Sequence, residues 1–98
     1  MKQLNWDTEK SEWLKKERNI CFEDIVFFLE HGDILDDVEH PNQERYLGQR
    51  IIVLAIENYV YLVPYIENEN EMFLKTIIPS RVATRKYLGK GGNQNELN

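Results

Sequence analysis

At 98 residues, with 42% hydrophobic and 30% charged residues, the chain has the make-up of one globular domain with a modest core. Its net charge of −5 excludes a protein that coats nucleic acid over its whole surface, and its single cysteine excludes an internal disulfide and suits a reducing compartment. No apolar run approaches the roughly 20 residues of a membrane helix, and Met1 leads into polar residues rather than a secretion signal, so a cytoplasmic protein without a membrane partner is expected.

Lys2 to Trp6 reads as a short strand or extended lead-in. Asp7 is a good N-cap for a helix over Thr8 to Arg18, and Lys15, Lys16 and Arg18 complement the dipole at its end. Asn19 suits the left-handed residue that stops it. A second, more apolar helix is predicted over Phe22 to His31, where Ile25, Val26, Phe28 and Leu29 share one side. Gly32 ends it. Ile34-Leu35 can begin a short strand, 36–42 reads as a polar loop, and Arg45-Tyr46-Leu47 is expected to re-enter the sheet. Ile51 to Ile56 is a continuous apolar strand of the kind buried on both faces. Glu57-Asn58 is a turn, and Tyr59 to Ile66 a second strand, in which Pro64 demands a bulge or an unpaired edge. Met72 to Ile78 is a third strand. Pro79 and the N-cap Ser80 then introduce a basic helix, and 91–98 is expected to be a flexible tail. The order implies one α+β domain over 1–90: two layers, with an antiparallel sheet, two N-terminal helices and a short C-terminal basic helix, all the helices on one side.

Charge is distributed unevenly. Residues 80–90 carry four basic and no acidic residues, whereas residues 1–79 carry eight basic and sixteen acidic ones. Arg81 and Arg85 lie one helical turn apart and share a face. On charge alone this is equally a solvated last helix. The common catalytic motifs are missing: there is no glycine-rich phosphate loop, no HExxH and no cysteine pair. Asp36, Asp37, Glu39 and His40 include metal-ligand types, although an acidic loop beside a histidine is usually solvated, and no metal or cofactor is expected. Cys21, between Ile20 and Phe22, fits a small core residue better than a nucleophile.

What remains is an inventory of cations and proton carriers: His40, Arg45, Arg50, Tyr61, Tyr65, Arg81, Arg85 and Lys86. RNA cleavage by the neighbouring 2′-hydroxyl needs little else. A proton leaves that hydroxyl, another reaches the departing 5′-oxygen, and cations stabilise the pentavalent phosphorane. The arginine fork binds two phosphate oxygens, and tyrosines on a sheet can stack bases or simply pack on helices.

Four segments, in order over residues 4–88, carry a family resemblance: Trp6-Asp7-Thr8-Glu9-Lys10, Phe22-Glu23-Asp24, Glu44-Arg45-Tyr46, and Ile77-Ile78-Pro79-Ser80-Arg81-Val82-Ala83-Thr84-Arg85. Together they resemble BrnT-type toxins, small ribonucleases of bacterial type II toxin–antitoxin modules with a RelE-like fold. The resemblance implies metal-independent RNA cleavage that inhibits translation, and a cognate antitoxin that is often a small DNA-binding protein. It carries over Arg45, Arg81 and Arg85 as catalytic candidates. His40 and Tyr65 join them on chemical grounds, with Lys86, Arg50 and Tyr61 as RNA-binding candidates. The strand Tyr59 to Tyr65 is one expected docking strand for the antitoxin. The chain departs from the family at Glu17-Arg18-Asn19, where a Lys-His-Gly turn is usual, and at Val82, where a lysine is usual. Val82 is expected to attenuate cleavage. The alternative is a non-catalytic RNA- or partner-binding module of the same fold.

Overall fold

The computed structural model describes residues 2–32 and 34–89; the expected tail lies outside them. Strand β1 (Gln3–Trp6) leads into helices α1 (Thr8–Arg18) and α2 (Phe22–Glu30). Strands β2 (Ile34–Glu39), β3 (Arg50–Ile56), β4 (Tyr59–Glu67), β5 (Glu71–Leu74) and β6 (Ile78–Pro79) follow, and then helix α3 (Arg81–Leu88). The fold is α+β with one six-stranded sheet in the order β1-β5-β4-β3-β2, while β6 pairs with β4. The sheet is mixed rather than antiparallel, because β1 runs parallel to β5.

Local signals set the helix ends. The Asp7 carboxylate accepts from the Lys10 amide at 3.2 Å, and Asn19 closes α1 at φ 58°. Asp24 reaches back to the Cys21 amide at 3.0 Å to open α2. The Ser80 hydroxyl accepts from the Ala83 amide at 3.0 Å to open α3, and Gly89 at φ 65° closes it. Ser80→Ala is expected to cost about 1 kcal/mol, read as a shift in the urea midpoint, because the donor of the first turn loses its acceptor.

Alternation along β3 and β4 builds two cores. Ile52, Leu54, Ile56, Val63 and Tyr65 point to one face, where Leu14, Phe22 and Ile25 of the first two helices cover them. Val53 and Val60 point to the other, where Ala83, Tyr87 and Leu88 of α3 pack. The domain therefore has three layers, and the expectation of all helices on one side is corrected. A strand that is apolar at six consecutive positions needs cover on both faces.

Pro64 explains the second departure. It is buried in the middle of β4, opposite Ile51 of β3. Its carbonyl accepts from the Lys75 amide at 2.8 Å. Within a strand a residue's nitrogen and oxygen face the same side, so the missing donor faces that same edge. There the expected single strand Met72–Ile78 breaks: β5 ends at Leu74, the chain leaves the sheet over 75–77, and β6 resumes at Ile78. With partners on both sides, β4 is a central strand and offers no free edge to an antitoxin, which corrects that expectation.

The expected loop over 36–42 is in large part β2, paired with β3 from Ile34 to Glu39. Two tyrosines bond its aspartates. Tyr87 Oη donates to Asp36 Oδ2 at 3.0 Å on the α3 face, and Tyr65 Oη lies 2.8–2.9 Å from the Asp37 oxygens on the opposite face. Arg45 to Leu47 does not re-enter the sheet; it forms a turn, with Leu47 80% exposed.

Candidate functional site

The basic helix forms over Arg81–Leu88, directly after its N-cap Ser80. α3 buries Ala83 and Thr84, and leaves Arg81, Val82, Arg85 and Lys86 exposed as one face. The Thr84 hydroxyl accepts from the Val60 amide at 2.8 Å and donates to the Ser80 carbonyl at 2.7 Å, which pins the helix to β4. Among the described residues, no hydrogen bond or ion pair engages the side chain of Arg81 or Arg85. The Lys86 ammonium lies over the Tyr87 ring, 5.3 Å from its centroid. Val82, at 73% exposure, fills no core position. Two arginines with about 5–6 Å between their Cβ atoms, on a helix anchored at both ends, suit an oxyanion of phosphate size.

The other candidates lie elsewhere. Arg50 and Tyr65 face each other across β3 and β4 on the α1/α2 side of the sheet. Arg50 Nε sits 3.1 Å from Asp37 Oδ1, and its Nη2 donates to the Asp37 carbonyl at 2.9 Å. Tyr65 is 2% exposed. Burial first, and then the Asp37 carboxylate that its hydroxyl meets, push its pKa up to about 12. The trio ties edge strand β2 to the centre of the sheet. An unfolded tyrosine ionises near pH 10, two units earlier, so the stabilisation is complete below pH 10 and is lost as pH rises toward 12. Thermal unfolding of the native chain is expected to show about 1 kcal/mol of loss by pH 11 that Tyr65→Phe does not show.

His40 and Arg45 occupy the connection between β2 and β3. His40 Nδ1 accepts from the Asn42 amide at 3.0 Å, which leaves Nε2 as the protonated ring position, and the ring tilts against Tyr46 at 4.4 Å. Arg45 is exposed beside the same Tyr46 ring. Tyr61 lies on the α1/α2 face, edge-on to Tyr59 at 5.8 Å.

The structure thus brings together Arg81, Arg85 and Lys86, and separately Arg50 with Tyr65 and His40 with Arg45. It keeps Tyr65 apart from the cations of α3. The Ser80 amide donates to the Val60 carbonyl near the start of β4. Tyr65 lies five residues further along that strand, about 17 Å by strand rise, and on the other face. Asp36 and Asp37 point to opposite faces, and among the described residues no three His, Cys, Asp or Glu side chains are placed to share a metal ion. Burial pushes the Cys21 thiol up, away from nucleophilic use. Nor is any described helix long and apolar enough to cross a membrane.

Residues outside the expected set also gather. Trp13, 45% exposed, has the Lys10 ammonium 4.7 Å and the Arg18 guanidinium 5.4 Å from its ring. Arg18 Nη1 also donates to the carbonyl of Ile77, just ahead of β6. The Lys10–Trp13 spacing of three was a legible helix-face signal, whereas the Arg18 contact to Ile77 depends on tertiary structure. Comparison of the chain with protein-family models, curated proteins and solved structures gives no match, so a functional reading rests on these residues and their arrangement.

Proposed function

We propose that the protein is an endoribonuclease toxin of a bacterial type II toxin–antitoxin module, with a RelE-like fold. Helix α3 holds the scissile phosphate through Arg81 and Arg85. The observation that carries this reading is the exposed face Arg81-Val82-Arg85-Lys86, whose two guanidinium groups have no partner among the described residues and which lies in the segment that most resembles the toxin family. In the reaction the 2′-hydroxyl loses its proton and attacks the adjacent phosphorus, the 5′-oxygen takes up a proton and leaves, and the arginines stabilise the phosphorane without a metal. His40 and Arg45 remain the proposed partners in proton transfer and phosphate contact, with Lys86 and Tyr61 along the RNA, while Tyr65 and Arg50 engage Asp37 on the opposite face. A cognate antitoxin, a small DNA-binding protein encoded by the neighbouring gene, neutralises the toxin.

One observation favours the second reading, an RNA- or partner-binding module without catalysis: Tyr65, a proton carrier on chemical grounds, does not share the face of Arg81 and Arg85.

Expression in a bacterial host tests the proposal together with the role of Val82. Val82→Lys completes a four-cation face and is expected to arrest growth more strongly than the native chain, and to raise the salt slope of RNA binding by about one unit. Because Val82 is exposed, its replacement leaves the core intact. Equal toxicity, or equal harmlessness, of the two chains contradicts an attenuating role for this residue.

A further inference from the structure

The geometry points to a nucleobase pocket for one guanine of the bound strand, at the C-terminal end of α1. This rests on the reading of single-stranded RNA as the ligand. A cavity of about 370 Å³ lies here, lined by Lys15, Arg18 and Asn19 of the α1 end, Phe28 of α2, and Glu57 and Tyr61 of the β3–β4 hairpin, with Asp24 also at its wall. It is separate from the Arg50–Asp37–Tyr65 trio.

The lining supplies what a base needs. Tyr61 and Phe28 are half-buried rings that offer apolar surface to a heterocycle. Among the described residues, the side chains of Lys15, Asn19, Glu57 and Tyr61 make no hydrogen bond, so donors and an acceptor of unused capacity surround one cavity. Asp24, by contrast, is occupied in the α2 cap through Cys21. Glu57 is an odd choice for its position. The turn holds Glu57 at φ 51° and Asn58 at φ 67°. Asparagine and glycine suit such a turn, and a glutamate there is strained. A carboxylate only accepts hydrogen bonds. Among the four bases, guanine alone presents two adjacent donors, N1–H and N2–H, on its Watson–Crick edge. Its O6 lies beside them as an acceptor for Lys15 or Asn19. Adenine and cytosine each offer one amino donor next to a ring acceptor, which a carboxylate repels. Uracil offers a single donor flanked by acceptors.

The pocket also connects to the phosphate-binding helix. Arg18 lines the cavity and donates to the Ile77 carbonyl, and Arg81 follows Ile77 by four residues, within about 14 Å of extended chain. Between them β6 pairs, among the described residues, only with β4, and Ile78 and Pro79 are exposed. A strand held by Arg81 and Arg85 can therefore pass around this edge, with Arg18 as the next cation and Trp13 beyond it.

The test measures binding of labelled hexaribonucleotides, identical except for one central base, to the full chain at low salt. The central guanine is expected to bind at least tenfold more tightly than adenine, cytosine or uracil. Glu57→Gln is expected to reduce that preference to about twofold at an unchanged melting temperature, since Glu57 is exposed and makes no contact that the fold needs. Lys15→Ala is expected to lower the affinity for the guanine oligomer. Equal affinity for all four bases, a preference that Glu57→Gln leaves intact, or no binding of any oligomer overturns the pocket. Guanine selectivity that depends on Glu57, without cleavage, upholds the pocket and removes the nuclease. Cleavage without such selectivity does the reverse.

Discussion

Alanine at both Arg81 and Arg85 is expected to slow RNA cleavage by on the order of 10²–10³-fold, the range for removal of a preorganised group that stabilises an oxyanion. The same double variant is expected to unfold at the temperature of the native chain or slightly above it. Both side chains are exposed and unengaged among the described residues, so the fold loses no contact. Alanine is also the better helix former. Activity and stability therefore separate cleanly at this site. A double variant that cleaves as fast as the native chain removes α3 from the mechanism. Binding is expected to weaken in parallel, with a salt slope lower by about two units, one for each lost phosphate contact.

Phe22→Ala is expected to destabilise the domain by about 3–5 kcal/mol, measured by urea or thermal unfolding. Phe22 is fully buried, stacks on Trp6 at 5.8 Å between ring centroids, and belongs to the larger core cluster. Its amide also donates to the Ser11 hydroxyl at 3.1 Å, and the same hydroxyl donates to Glu23. Thus the start of α2 is fixed to the middle of α1 by both packing and polar bonds. Small domains are stable by only about 5–15 kcal/mol, so this one substitution removes a large share of the total. Loss of activity in Phe22→Ala would follow from unfolding, whereas loss in the arginine variant would not. The pair of variants together separates chemistry from architecture.

Much of this fold was legible because its signals are local. Asp7, Asn19 and Ser80 each act through backbone geometry within a few residues, and α1 and the start of α3 lie where those residues place them. The turn at Glu57-Asn58 and the strands around it are equally local. What was not legible depends on partners distant in sequence. Asp36 and Asp37 look like loop residues until Tyr87 and Tyr65 bond them, 51 and 28 positions away. The parallel pairing of β1 with β5 joins residues almost 70 apart. The break between β5 and β6 was half visible in Pro64, which announces a missing donor but not the strand that will meet it.

The layer count shows a signal present but misjudged. Six apolar residues from Ile51 to Ile56 require cover on both faces, which by itself demands a third layer. The apolar side of α3, formed by Ala83, Tyr87 and Leu88, supplies it. For the site, the sequence identifies the types of residue but not their convergence. Arg81 and Arg85 come together because helical spacing is local. Tyr65 and Arg50 come together through strand register. That Arg18 reaches Ile77, and so borders the path to Arg81, follows from the packing of α1 beside the sheet. No spacing rule foresees it.

The most direct measurement is incubation of the purified full chain with unstructured RNA at low salt, in the presence and absence of a chelator, followed by analysis of the RNA ends. Cleavage is expected to survive the chelator, to leave 2′,3′-cyclic phosphate and 5′-hydroxyl ends, and to fall sharply in Arg81→Ala. RNA that is bound but stays intact, or cleavage unchanged by Arg81→Ala, would contradict the proposed function.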